Sequence, residues 1–111
     1  MRKDEFINNN SRLMQEIAVS LIESTPEHWS SFYVLATVIS EESESEDLEI
    51  SIHSNQGYDD IVVPTDELNS RIFRLFDNFK TSYRIKKFKC IAYEKDEGGW
   101  AHKTDFDFFK G

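Results

Sequence analysis

Phe32-Tyr33-Val34-Leu35-Ala36-Thr37-Val38-Ile39 decides the fold. The stretch is rich in aromatic and β-branched side chains, carries no charge and is bounded by serines. Such residues favour extended backbone and need burial, so the segment reads as a well-buried strand. The elements on either side follow from what this strand needs as neighbours.

Downstream, six carboxylates crowd Glu41-Glu42-Ser43-Glu44-Ser45-Glu46-Asp47-Leu48-Glu49, which reads as a charged connection. Leu48, Ile50 and Ile52 then alternate with Glu49, Ser51 and His53, the pattern of a half-exposed strand. Ser54-Asn55-Gln56-Gly57 is a turn signal. Ile61-Val62-Val63 reads as a short strand stopped by Pro64. Thr65 followed by Asp66-Glu67 is a helix start, with negative charge at the positive end of the dipole. Leu68, Ile72, Leu75, Phe76 and Phe79 then share one helical face. Residues 85 to 94 read as a strand, and Asp96-Glu97-Gly98-Gly99 as a hairpin turn. In the last segment Trp100, His102, Thr104, Phe106 and Phe108 share one face, and Lys103, Asp105 and Asp107 the other.

Upstream, Leu13, Met14, Ile17, Ala18, Leu21 and Ile22 recur at helical spacing over residues 10 to 24. Asn10 or Ser11 is placed to cap that helix, Pro26 ends it, and Thr25-Pro26-Glu27 predicts a short turn carrying Trp29. The expected order is helix, three strands, helix, two strands. Short connections make the sheet mostly antiparallel, and the two amphipathic helices have one sensible place to bury their stripes, a single face of that sheet. The fold class is α+β. Residues 1–111 form one domain, with residues 1–9 open to disorder.

The totals agree with a single packed domain. The chain has 111 residues, with nine Phe, four Tyr and two Trp against four Gly and two Pro. Its single cysteine, Cys90, excludes an internal disulfide framework and fits a reducing cytoplasm. No stretch reaches the roughly 20 apolar residues of a spanning helix, and the opening residues lack a signal-peptide core.

Charge is uneven. Residues 1–70 hold 15 acidic and 3 basic side chains, a balance of −12, while residues 71–111 hold 6 and 10, a balance of +4. Phosphates would be repelled by the front of the chain, so neither nucleic acid nor membrane is an expected partner. The basic cluster Arg84-Ile85-Lys86-Lys87-Phe88-Lys89 also has the look of a solvated strand. No phosphate-binding glycine loop and no nucleophile elbow are present. His28, His53 and His102 lack a shared spacing, and the acidic run lacks the alternation and glycine of a calcium loop. These residues predict a binding domain without catalytic residues, metal or cofactor.

Several local features are shared with one family. Leu13-Met14-Gln15-Glu16-Ile17-Ala18, then Ile22, Pro26-Glu27-His28-Trp29 and Tyr33 entering a strand, resemble the opening of the YezG-like bacterial immunity family. The later helix with Leu68, Leu75 and Phe76, the strand ending at Tyr93 and the closing Asp105-Phe106-Asp107-Phe108 follow in the same order. The resemblance spans roughly residues 11 to 108. It implies an α+β antitoxin that binds a cognate toxin, and several members pair with nucleases.

The expected function is therefore neutralisation of a protein toxin, a basic nuclease, by an acidic surface occluding its active site or substrate approach. Glu41, Glu42, Glu44, Glu46, Asp47 and Glu49 are assigned to steering. Asp59 and Asp60 are accessories on the same edge of the sheet, and Trp100 is an apolar anchor. A cytoplasmic monomer or homodimer is expected. The alternative is an acidic secretion chaperone holding an effector, which would be a stable dimer with exposed apolar grooves.

Overall fold

A computed structural model describes residues 2–40, 47–80 and 83–109. Helix α1 spans Lys3–Asn9 and α2 Ser11–Ser24, followed by strands β1 (Ser31–Ser40) and β2 (Asp47–Ser54). Helix α3 spans Asp66–Phe79, and strands β3 (Ile85–Glu94) and β4 (Trp100–Phe108) complete the fold. The four strands form one antiparallel sheet in the order β2-β1-β3-β4. The chain has an α+β fold, and the Phe32–Ile39 stretch lies in a central strand paired on both sides.

Alternation on β1 explains its place. Phe32, Val34 and Ala36 are fully buried and point to the helical side. On β3, Phe88, Cys90 and Ala92 do the same. Onto this face α2 brings Leu13, Met14, Ile17, Ala18 and Leu21, and α3 brings Leu68, Ile72, Leu75, Phe76 and Phe79. These are the apolar stripes expected at a spacing of 3.6 residues. Cys90 is buried there as a small hydrophobe, and burial pushes its thiol up to about 12.

The helix ends follow local chemistry. Thr65 is extended, and its Oγ1 accepts from the Leu68 N–H at 3.2 Å, capping α3. Helix α2 stops at Ser24, before Thr25-Pro26, because a residue preceding proline is driven out of the helical region. The Trp29 N–H closes a turn on the Pro26 carbonyl at 3.0 Å. At the hairpin, Gly98 and Gly99 have φ of 93° and 83°, the left-handed region that the tight turn from Lys95 to Gly99 requires. The two long helices run antiparallel and are bracketed by Arg71. Its guanidinium donates to the Glu16 carbonyl at 3.0 Å and to the Ser20 hydroxyl, and it pairs with Glu67 at 2.7 Å.

Two segments depart from expectation. Residues 3–9, left open to disorder, form α1. Phe6 docks edge-on against Phe79 at 4.6 Å, and the Lys3 ammonium stands 4.7 Å over the Phe108 ring. Asn10 breaks the continuity with α2: its amide donates back to the Phe6 carbonyl and its oxygen accepts from Asn78. The second correction concerns Ile61-Val62-Val63, which is not a strand. Both neighbours of β1 are taken by β2 and β3, and the chain after β2 crosses the end of the sheet to reach α3. The element order is therefore α-α-β-β-α-β-β, with a long connection where a third consecutive strand was expected.

Candidate protein-binding site

That connection, Asn55–Thr65, is the most distinctive surface of the molecule. Its start is sewn to β1: the Asn55 N–H donates to the Ser31 carbonyl at 2.9 Å, and Gln56 Oε1 accepts from the Ser30 N–H at 2.7 Å. Tyr58 then stacks on Trp29, with ring centroids 6.3 Å apart and planes 8° from parallel. Asp60 accepts through one oxygen from the Trp29 indole N–H at 3.1 Å and from His28 Nε2 at 3.0 Å. These two donors, Trp29 foremost, hold the Asp60 carboxyl below the usual carboxylate range. Val62 packs on the core, and Thr65 caps α3 while meeting the Ser24 hydroxyl at 3.4 Å.

Contacts made by Tyr58, Asp60 and Val62 leave the intervening residues outward. Asp59 is exposed, Ile61 is 94% exposed and Val63 76% exposed. The β-branched run that reads as a strand is instead part of a connection held down by side chains and not by a ladder. Two aliphatic side chains thus stand far into water on a loop tied down by several hydrogen bonds.

The electrostatics of this end are mainly acidic: the β3–β4 turn brings Lys95, paired with Glu97, beside Asp96, and the two segments that meet at the loop are one-sided. Residues 23–30 and 55–67 carry Glu23, Glu27, Asp59, Asp60, Asp66 and Glu67 and no lysine or arginine. Glu67 is tied to Arg71 and Asp60 to the loop anchor, which leaves Glu23, Glu27, Asp59 and Asp66 exposed around Ile61 and Val63. The open face of the sheet differs. There Lys87 stands opposite Asp107 and Lys89 opposite Asp105 in the strand register, so opposite charges are neighbours. Lys89 also lies 4.3 Å over Tyr33, whose ring stacks on His53. The basic cluster is thus woven into the sheet.

Of the residues expected to form the site, Glu41, Glu42, Glu44 and Glu46 lie outside the described residues. Asp47 and Glu49 open β2 and are exposed. Asp59 and Asp60 do not share an edge of the sheet with them. Ser40, just before the run, pairs with Asp47 within it at one end of β1, whereas Phe32 pairs with Ser54 at the other. Eight residues of strand put these ends roughly 26 Å apart. Trp100 lies at the loop end, 37% exposed, with its ring 5.4 Å from Phe32. With Val19, Ile22, Gln15 and His102 it lines a cleft of about 110 Å³ between α2 and β4. Two features were missed from the sequence: the His28–Asp60–Trp29 anchor, and Ser51 bonded to His53 Nε2 at 2.8 Å on the open face. The first joins residues some thirty positions apart and leaves no local pattern. The second follows from two polar residues at i and i+2 on a strand.

Among the described residues no helix is long and apolar enough to cross a membrane, and no trio of His, Cys, Asp or Glu is grouped to hold a metal. No protein-family model matches the chain, and no curated protein matches it.

Proposed function

We propose that this chain is an immunity protein: a cytoplasmic antitoxin, not a catalyst, that binds a basic protein toxin of the nuclease class and neutralises it by occlusion. The observation that carries the reading is the pairing of strong negative charge with exposed aliphatic side chains on a rigid end. The net charge is −8, and at the loop end residues 23–30 and 55–67 carry six carboxylates and no lysine or arginine, while Lys95 of the adjoining β3–β4 turn is paired with Glu97. A nuclease presents positive charge where phosphate must enter, so such a surface is attracted to that entrance and blocks it. Long-range attraction raises the rate of encounter, while buried apolar contact slows release. The resemblance of the Pro26-Glu27-His28-Trp29 region and its preceding helix to the YezG-like immunity family supports the same reading.

The test is co-expression. The chain is produced alongside a panel of lethal, basic nuclease domains, including any encoded beside it, and survival is scored. Rescue by one member, with a stoichiometric complex and loss of nuclease activity in vitro, is the expected result. Failure to rescue any of them, together with purification of the tagged chain from its native cell bound to an unfolded secreted effector, would replace this reading by that of a secretion chaperone.

A further inference from the structure

The geometry points to the loop segment Tyr58–Val63 as the docking element, with Ile61 and Val63 as its apolar anchors. Its occupant is a basic protein surface in which an aliphatic-lined pocket is rimmed by lysine or arginine. This inference rests on the immunity reading and replaces the acidic run by the opposite end of the molecule as the main contact.

Three observations converge. First, Ile61 and Val63 stand in water while the chain beside them is held in place, by the bonds of Asp60 to Trp29 and His28 at the surface and by the packing of Val62 on the core. A segment fixed before binding loses little freedom on association, so its apolar contacts count nearly in full. Second, the segments that meet at the aliphatic pair, joined by the Ser24–Thr65 and His28–Asp60 contacts, carry exposed Glu23, Glu27, Asp59 and Asp66, so apolar anchors and carboxylates share one end, as an apolar interface centre and its charged rim do. Third, the sign of that rim selects the occupant. Two copies of this chain would bring like charge together at this end, and a nucleic acid or an anionic membrane would be repelled, whereas a basic protein gains at every rim position.

The probe is the nuclease domain whose lethality the chain suppresses. Its affinity is measured for the native chain, for an Ile61→Ser/Val63→Ser variant, and for a variant with Glu41, Glu42, Glu44 and Glu46 changed to Gln. Both anchors face water, so the first variant should keep the native melting temperature. It is expected to weaken binding by about 30-fold or more, chiefly through faster dissociation. The second variant should alter only the association rate, by a few-fold at low salt. Unchanged affinity in the Ile61→Ser/Val63→Ser variant, with tight binding by the native chain, would overturn the docking surface and leave the immunity reading standing. A native chain that binds none of the nuclease domains would overturn both. Sedimentation of the native chain as a dimer that this variant dissociates would show instead that the loop holds a second copy.

Discussion

Asp60 shows how much one side chain does here. Its single oxygen gathers the Trp29 indole and the His28 ring, and through them it fixes the direction of the residues on either side. The sign of its pH dependence follows from its depressed pKa. The ionised form is preferred in the folded chain, so the stabilisation is present above the unfolded carboxylate range. It is lost as pH falls through the lower native value. Urea midpoints followed from pH 7 to pH 2 should therefore fall less steeply in Asp60→Ala than in the native chain. Identical slopes would show that the anchor does not bind the proton differentially. Thr65 works by a simpler rule. Thr65→Ala removes the α3 cap and should destabilise the fold by about 1 kcal/mol in denaturant titration. Thr65 was legible in the sequence because a cap acts on residues three positions away. Asp60 was legible only as a charge, because its partners lie 31 and 32 positions upstream.

At the scale of elements, both long helices, the central strand and the closing hairpin could be read directly. The helices and the last strand carry their own period, and the burial of Leu68, Ile72 and Leu75 follows it. The central strand was legible by its aromatic and β-branched composition, and which of its faces is buried, that of Phe32, Val34 and Ala36, came from the structure. The segment around Ile61 shows where composition fails. A β-branched run favours extended backbone; it does not report whether another strand lies beside it. Residues 3–9 show the reverse case, where a polar run suggested looseness and the packing of Phe6 on Phe79 accompanies a helix. The α2–α3 pair depends on Arg71, whose charged hydrogen bonds span both helices. Arg71→Ala should cost about 2 kcal/mol, because it leaves the buried Ser20 hydroxyl without its partner. The same loss after Ser20→Ala, with no further loss in the double variant, would identify that bond as the bracket. Additive effects would assign the stabilisation to Glu16 and Glu67.

For the whole molecule, charge is arranged by position and not only by amount. The acidic run leaves one end of β1, the Ile61 loop crosses the other, and the balanced Lys–Asp ladder of β3 and β4 lies between them. Raising ionic strength from about 0.01 to 0.15 M shortens the screening length from roughly 30 to 8 Å. Association with the proposed basic partner should then slow about tenfold or more. A Glu23→Gln/Glu27→Gln/Asp59→Asn variant should lose much of that dependence in stopped-flow measurements. If it does not, the steering field comes from elsewhere.

Lys3 resting on Phe108 has its own consequence. It brings the first helix and the last strand together at the end remote from Ile61. A fusion partner, a tag or a surface tether attached before residue 2 or after residue 109 therefore hangs from the back of the molecule and leaves the loop facing outward. The same proximity lets a short linker join the two ends, so the chain can be reopened at the Lys95–Gly99 turn as a circular permutant that keeps all four strands in their places.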